Sequence, residues 1–111
     1  MKKILIALSV LATTQIAMAG STTITKIKNV YVYEHYAVIK MANKHANPNA
    51  CKHPNANEFL LMPTYTSGGS KMYSALLSAY VSGQKVKLGY SRCSVWGSTT
   101  IPRVYGITLV K

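Results

Sequence analysis

The sequence predicts a domain that is mainly β, with three strands, one helix and two further strands in chain order. Two observations carry this prediction. Runs of β-branched and aromatic residues alternate with clusters of Asn, Gly and Pro, and a single stretch has apolar residues at helical spacing. The chain has 111 residues, enough for one such domain.

The first two strands are predicted as a hairpin. Residues 22–33 are rich in β-branched and aromatic residues, and Asn29 interrupts their alternation, which indicates a bulge or a bend. Glu34 and His35 form a short turn. Residues 36–41 then return along the first strand as the second one.

For the middle of the chain, the sequence predicts a loop followed by a short third strand. Residues 42–57 hold several Asn and Pro residues, which are turn formers. The third strand covers residues 58–62, and Pro63 ends it or marks a sheet edge. A Ser-Gly-Gly sequence at 67–69 then interrupts the regular structure.

The one predicted helix covers residues 71–82. Ser70 is positioned to cap its start, and Gly83 stands where helices commonly end with glycine. Its apolar face is formed by residues three or four apart, namely Met72, Ala75, Leu76, Ala79 and Tyr80.

Two strands follow the helix, at residues 84–90 and 103–110, and residues 91–102 are predicted as a loop. Five strands with a helix between the third and the fourth have the element order of the OB-fold. The sequence therefore predicts an OB-fold-like, five-stranded barrel with the order β-β-β-α-β-β; another small α+β sheet with the same element order is the alternative.

Residues 1–19 have the three parts of a cleavable secretory signal. Two lysines follow Met1, an apolar run covers residues 4–12, and Ala17-Met18-Ala19 ends the segment in a small-x-small pattern. The run is shorter than the roughly 20 residues that span a bilayer; a buried N-terminal helix is the alternative. We expect residues 20–111 to form a single exported domain, periplasmic or secreted, that does not span a membrane.

Both cysteines, Cys51 and Cys93, lie in the part expected to be exported. An oxidising compartment favours a disulfide between them, and the alternatives are free thiols or bridges between chains. Cys51 with His53 and His45 could also be drawn as a metal site. Zinc clusters have more ligands at tighter spacing, so we expect exposed loop histidines, no metal and no cofactor.

The charge is strongly one-sided, with 13 Lys and Arg against 2 Asp and Glu. Loss of residues 1–19 removes two lysines and leaves 11 basic against 2 acidic residues, a net charge of +9. Lys26, Lys28 and Lys40 lie near the predicted hairpin and form a candidate basic surface, which would attract anionic partners. An exported protein meets little nucleic acid, so we do not expect nucleic acid as its partner.

The sequence predicts a binding protein rather than an enzyme. The chain contains no Asp, and its two acidic residues, Glu34 and Glu58, are far apart in sequence. Paired-carboxylate chemistry would need them to converge, and no nucleophile-elbow motif is present.

Tyrosines are frequent, with eight in the chain beside one Trp and one Phe. Tyr31, Tyr33 and Tyr36 cluster around the predicted hairpin, and Trp96 lies in a predicted loop. A tyrosine ring stacks on a flat or apolar surface while its hydroxyl forms hydrogen bonds, which suits sugars, bases and protein partners. These four residues are the candidate ligand-binding residues; core packing is the alternative.

The segment 71–88, KMYSALLSAYVSGQKVKL, resembles part of the pentameric binding subunits of bacterial A-B toxins, in the subtilase cytotoxin and pertussis-like group. In that part of the family a helix with a Tyr and small residues ends in Ser/Thr-Gly-Gln/Lys before a basic, alternating strand. The segment also resembles small exported bacterial proteins without an assigned role.

The resemblance implies an OB barrel, a homopentameric ring, a glycan pocket on the barrel flank and a pore lined by the helix, which receives the tail of a catalytic A subunit. The family's sugar-contacting residues are not matched position by position. We therefore expect an exported, non-catalytic protein similar to a toxin B subunit that recognises a cell-surface glycan. The alternative is a periplasmic or secreted OB-fold protein that binds an anionic envelope component, a protein partner or nucleic acid.

Overall fold

A computed structural model describes residues 18–111, which form one six-stranded sheet and one helix. The elements are β1 (Ala19–Ser21), β2 (Ile27–Val32), β3 (Tyr36–Met41), β4 (Phe59–Pro63), α1 (Ser67–Ser82), β5 (Val86–Trp96) and β6 (Thr99–Leu109). The prediction of a mainly β chain with one helix is confirmed. The predicted signal, residues 1–19, lies outside the described residues except for its last two.

The strands are arranged in the order β1-β5-β6-β4-β3-β2. All neighbours are antiparallel except β4 and β6, which are parallel where Leu61 pairs with Arg103. Two hairpins, β2–β3 and β5–β6, are therefore joined through β4, and β1 and β2 form the two edges.

The predicted five-stranded barrel is corrected to an open sheet of six strands. The predicted first strand, residues 22–33, does not run straight. Thr25 forms an isolated bridge with Val86 of β5, whereas the chain from Ile27 onward pairs with β3. The chain thus changes partner, and no ladder joins β1 to β2 within residues 18–111. The bulge expected at Asn29 is present, as a shift of register between Ile27 and Asn29.

β5 and β6 are longer than predicted and meet in a tight hairpin. Residues 91–102, predicted as a loop, belong mostly to these strands and include the turn at Gly97, whose φ is 65°. Register shifts at Gly89/Tyr90 and Ser91/Cys93 disturb the alternation of the sequence. Trp96 consequently lies at the end of a strand rather than in a loop.

α1 begins four residues earlier than predicted. Thr66 is the N-cap in place of Ser70, and its Oγ1 accepts a hydrogen bond from the backbone N–H of Gly69 at 2.9 Å. The end is as predicted, because Gly83 adopts the left-handed conformation with φ 71°. The helix packs on β6, β4 and β2.

Each face of the sheet carries its own group of buried side chains. The main core lies between α1 and the sheet and consists of Ile27, Ile39, Met41, Leu60, Met62, Leu76, Ala79, Val86, Leu88, Tyr90 and Val104. A smaller group, Val38, Leu61 and Ile101, is buried on the opposite face. The alternation of β3 and β4 produces both, since successive residues point to opposite faces.

The predicted disulfide between Cys51 and Cys93 is present and joins the loop before β4 to β5. The same loop is held by Lys52, whose backbone N–H donates to Thr100 Oγ1 at 2.8 Å, and by His53, whose N–H donates to the Thr100 carbonyl at 3.0 Å. In the part of the chain that the structure describes, no helix has the length and apolarity to cross a membrane.

Two adjacent glycines in the first turn of α1 should respond oppositely to alanine. A Cβ at Gly68 would meet no atom within 4 Å, so Gly68→Ala should stabilise the domain by about 0.5 kcal/mol through helix propensity. A Cβ at Gly69 would collide with the carbonyl oxygen of Pro63, so Gly69→Ala should destabilise it by more than about 1 kcal/mol. Urea denaturation of both variants measures the difference, and equal midpoints would contradict the described junction of β4 and α1.

Candidate functional site

The face of the sheet opposite α1 carries a row of aromatic side chains. Tyr36, Phe59 and Trp96 pack on the small buried group there. We call the set Tyr31, Tyr33, Tyr36, His53, Phe59 and Trp96 the aromatic face. It contains all four residues that the sequence predicted as ligand-binding candidates.

Four rings of the aromatic face form a continuous row. The Trp96 ring stacks on His53, with centroids 5.3 Å apart and an interplanar angle of 24°. Phe59 is tilted against Trp96 at 5.4 Å, and Tyr31 lies 6.3 Å from Phe59. β2, β4, β5 and the disulfide-bonded loop each contribute one ring, so the row exists only in the folded chain.

The other two rings lie at the turn between β2 and β3. Tyr33 stacks on Tyr36 with centroids 4.8 Å apart and an interplanar angle of 21°. Tyr31 and Tyr33 are 41% and 42% exposed. These two tyrosines therefore expose ring surface to solvent, whereas Tyr36 packs on the small buried group of the same face.

Lys40 adds a charge to the aromatic face. Its Nζ lies 3.6 Å from Glu58 Oε1 and 5.6 Å from the centroid of the Phe59 ring. Lys26 and Lys28 are exposed on β2 or just before it. Among residues 18–111, Lys40 is the only one of the three predicted lysines found in contact with an aromatic ring. The predicted basic surface is thus divided between a paired lysine and two solvated ones.

Phe59 and His53 were not predicted as site residues. Phe59 alternates with the core residue Leu60 in β4 and shares the face of Leu61, so this alternation does place it away from the main core. The sequence pointed to His53 only as a metal-ligand candidate, and its stacking on Trp96 depends on the disulfide and on the bonds to Thr100.

The two cysteines and the two glutamates each have a neighbour within the described residues. Both sulfurs are in the disulfide, Glu58 faces Lys40, and Glu34 lies 3.8 Å from His35 on the surface. Within residues 18–111 no three His, Cys, Asp or Glu side chains come close enough together to hold a metal ion.

Comparisons of the chain with protein-family models, with curated proteins and with solved structures found no match. The aromatic face itself offers flat apolar rings, phenol hydroxyls and one Lys–Glu pair side by side. Such a combination can stack on an apolar molecular surface and form hydrogen bonds at its margin.

His45 is buried in the loop before β4 and is not part of the aromatic face. It is 6% exposed, in contrast to the expected exposed loop histidine. Its Nε2–H donates to the Ala56 carbonyl at 2.9 Å, its ring lies 5.1 Å from that of Tyr90, and its Nδ1 has no partner within residues 18–111. Burial lowers the pKa of His45 below 6.5, and the bond to Ala56 opposes this in part.

The lowered pKa of His45 predicts a loss of stability in mild acid. Below pH 6.5 the unfolded chain takes up a proton that the folded chain resists, so the free energy of unfolding falls until the folded-state pKa is passed. One such titrating group changes the free energy of unfolding by at most about 1.4 kcal/mol per pH unit. Urea denaturation between pH 7.5 and 5 should show a shallower dependence for His45→Gln than for the native chain. His35→Gln is the control, since that ring is on the surface; equal slopes in all three proteins would contradict the assignment.

The disulfide should stabilise both the domain and the row of rings. It closes a span of 42 residues, and Cys51→Ser combined with Cys93→Ser should lower the free energy of unfolding by roughly 2–4 kcal/mol. Because His53 follows Cys51 closely, we also expect the fluorescence of Trp96, the one tryptophan, to change when the bridge is removed. Unchanged stability and emission would show that the loop is held without the bridge.

Proposed function

We propose that this chain is an exported, non-catalytic binding protein that recognises a cell-surface glycan through the aromatic face, in the manner of a toxin B subunit. The observation that carries the proposal is the continuous row from Tyr31 through Phe59 and Trp96 to His53. The disulfide is compatible with export to the periplasm or the medium, since such bonds persist in oxidising compartments.

The proposed mechanism is stacking of a sugar ring, with hydrogen bonds at its edge. The C–H face of a sugar is apolar and flat, and it can lie on the exposed rings of Tyr31 and Tyr33. The Lys40–Glu58 pair lies beside Phe59 and provides a donor and an acceptor for sugar hydroxyls. Rings from strands held by pairing need little reordering when the ligand binds, which favours affinity.

The fold of the proposed protein is of OB type in its connectivity. Three features support this: the parallel pair β4–β6, the helix between β4 and β5, and the segment from β1 to β2 that contacts β5 first and β3 afterwards. OB-folds bind oligosaccharides and oligonucleotides on a strand face.

The proposal includes assembly into a homopentameric ring and a catalytic A subunit as a possible partner. Its support is the likeness of segment 71–88, which contains most of α1, to the toxin subunits. α1 also presents an exposed side, on which Val81 is 85% exposed. A ring would multiply weak sugar contacts through avidity. Native mass spectrometry of residues 20–111 tests it, and a monomer at all concentrations would exclude the ring.

Replacement of Tyr31 should weaken glycan binding while the fold is retained. Tyr31→Leu keeps apolar bulk at the edge of the sheet but removes the aromatic ring, and we expect about a tenfold loss of affinity for the sugar found on a glycan array. Tyr65→Leu is the matched control, because Tyr65 is 67% exposed and contacts His35 instead of the aromatic face. Equal affinity of the two variants would exclude the aromatic face as the site.

The second candidate is an exported protein that binds an anionic envelope component, an acidic protein partner or nucleic acid. It is favoured by the charge, since 13 Lys and Arg stand against two acidic residues, and these two lie beside His35 and Lys40. Here affinity would fall steeply with salt and would depend on Lys26 and Lys28. The double variant Lys26→Gln, Lys28→Gln separates the two functions, since a neutral glycan stacked on Tyr31 should bind it unchanged.

A further inference from the structure

An open cleft of 430 Å³ lies at the start of α1, apart from the aromatic face. Its apolar lining comes from Pro63, Met72 and Val104, and its polar lining from Thr66, Arg103 and Tyr105. No residue of the aromatic face lines it. The volume is in the range of sites that hold small ligands, which are usually apolar with a few placed polar groups.

The first turn of α1 and the end of β4 form one wall of the cleft. Gly69 allows the first turn of α1 to approach the carbonyl of Pro63, and the Thr66 cap holds that turn in place. Gly68 lies at the cleft with open space where a side chain would begin. The cleft is therefore formed by backbone that the packing of α1 on β4 already fixes.

Arg103 is the charged group of the cleft. It lies in β6, and its backbone pairs with Leu61 of β4 on one side and Ser91 of β5 on the other, so its side chain starts from the middle of the sheet. It is half-buried. The chain has only two acidic side chains, and these lie beside His35 and Lys40; within residues 18–111, Arg103 forms no ion pair.

We propose that this cleft binds an organic carboxylate that carries a compact apolar group. The guanidinium of Arg103 presents two parallel N–H donors that match the two oxygens of a carboxylate. Pro63, Met72 and Val104 provide the surface for the apolar part, and Tyr105 also lines the cleft. Either a free short-chain acid or the carboxyl end of a peptide has this chemistry. The site is independent of glycan binding, since it shares no residue with the aromatic face.

The test compares two probes that differ in one group. N-acetyl-leucine and N-acetyl-leucinamide are titrated into the ¹⁵N-labelled protein, and the backbone resonances of Gly68, Gly69 and Val104 are followed. We expect the acid to bind about tenfold more tightly than the amide, as loss of a charge-assisted hydrogen bond to Arg103 implies. N-acetyl-trialanyl-leucine distinguishes the sources: tighter binding than N-acetyl-leucine identifies a peptide end, and equal binding a free acid.

Variants at two arginines provide the controls. Arg103→Gln should lose the preference for the acid, whereas Arg92→Gln should keep it, because Arg92 is exposed at the Ser91/Cys93 register shift and does not line the cleft. Arg103→Lys retains the charge without the paired donors and should bind with intermediate affinity, which keeps the test decisive if the Gln variant is unfolded. Equal affinities for acid and amide in the native chain, or shifts confined to other residues, would overturn the proposal.

Discussion

Because α1 packs on one face of the central strands, the buried side chains of the other face must be covered by other residues. β3 and β4 bury side chains on both sides, and α1 covers only the side of Ile39, Leu60 and Met62. Val38, Leu61 and Ile101 on the opposite side are covered instead by aromatic rings. A ring that covers a small core with one surface leaves the other surface to solvent. The aromatic face is therefore part of the fold and at the same time a surface with ring area exposed to solvent.

The disulfide determines how far the row of aromatic rings extends. Without a fixed loop before β4, the row of rings would end at Trp96. The bridge to Cys93 and the two hydrogen bonds to Thr100 bring His53 onto the indole, so that a histidine extends the row. Asn47 supports the same turn, since its Oδ1 accepts from the Cys51 N–H at 2.9 Å and its Nδ2 donates to the Cys51 carbonyl at 3.0 Å. Stability and site geometry thus depend on the same short segment.

The sequence predicted those parts of the fold in which local pattern and tertiary structure agree. β3, β4, most of α1 and its end at Gly83 follow from alternation, helical spacing and a glycine cap. The start of α1 was missed because two glycines suggested a break, although Gly69 is needed there for close contact with Pro63.

The extended β5–β6 hairpin was missed for a different reason. Arg92, with φ 60°, lies within a register shift that disrupts the period of two. In the candidate site, the tyrosines and Trp96 were visible by composition. To predict Phe59 as a site residue, the two faces of β4 would have had to be assigned. To predict His53, the contacts of the loop before β4 would have had to be known. Tertiary contacts therefore account for the missed residues of both fold and site.

Charge adds a constraint of its own. With two acidic side chains in the whole chain, the fold cannot neutralise its 13 Lys and Arg residues internally. Glu58 forms an ion pair with Lys40 beside the aromatic face, and Glu34 lies on the surface near His35. The charge of Lys40 beside the Phe59 ring is therefore paired with a carboxylate. Arg103 has no such compensation within residues 18–111, although it starts from the centre of the sheet and faces an apolar cleft. The placement of only two acids thus leaves Lys40 paired beside the aromatic face and Arg103 without an ion pair at the cleft, among residues 18–111.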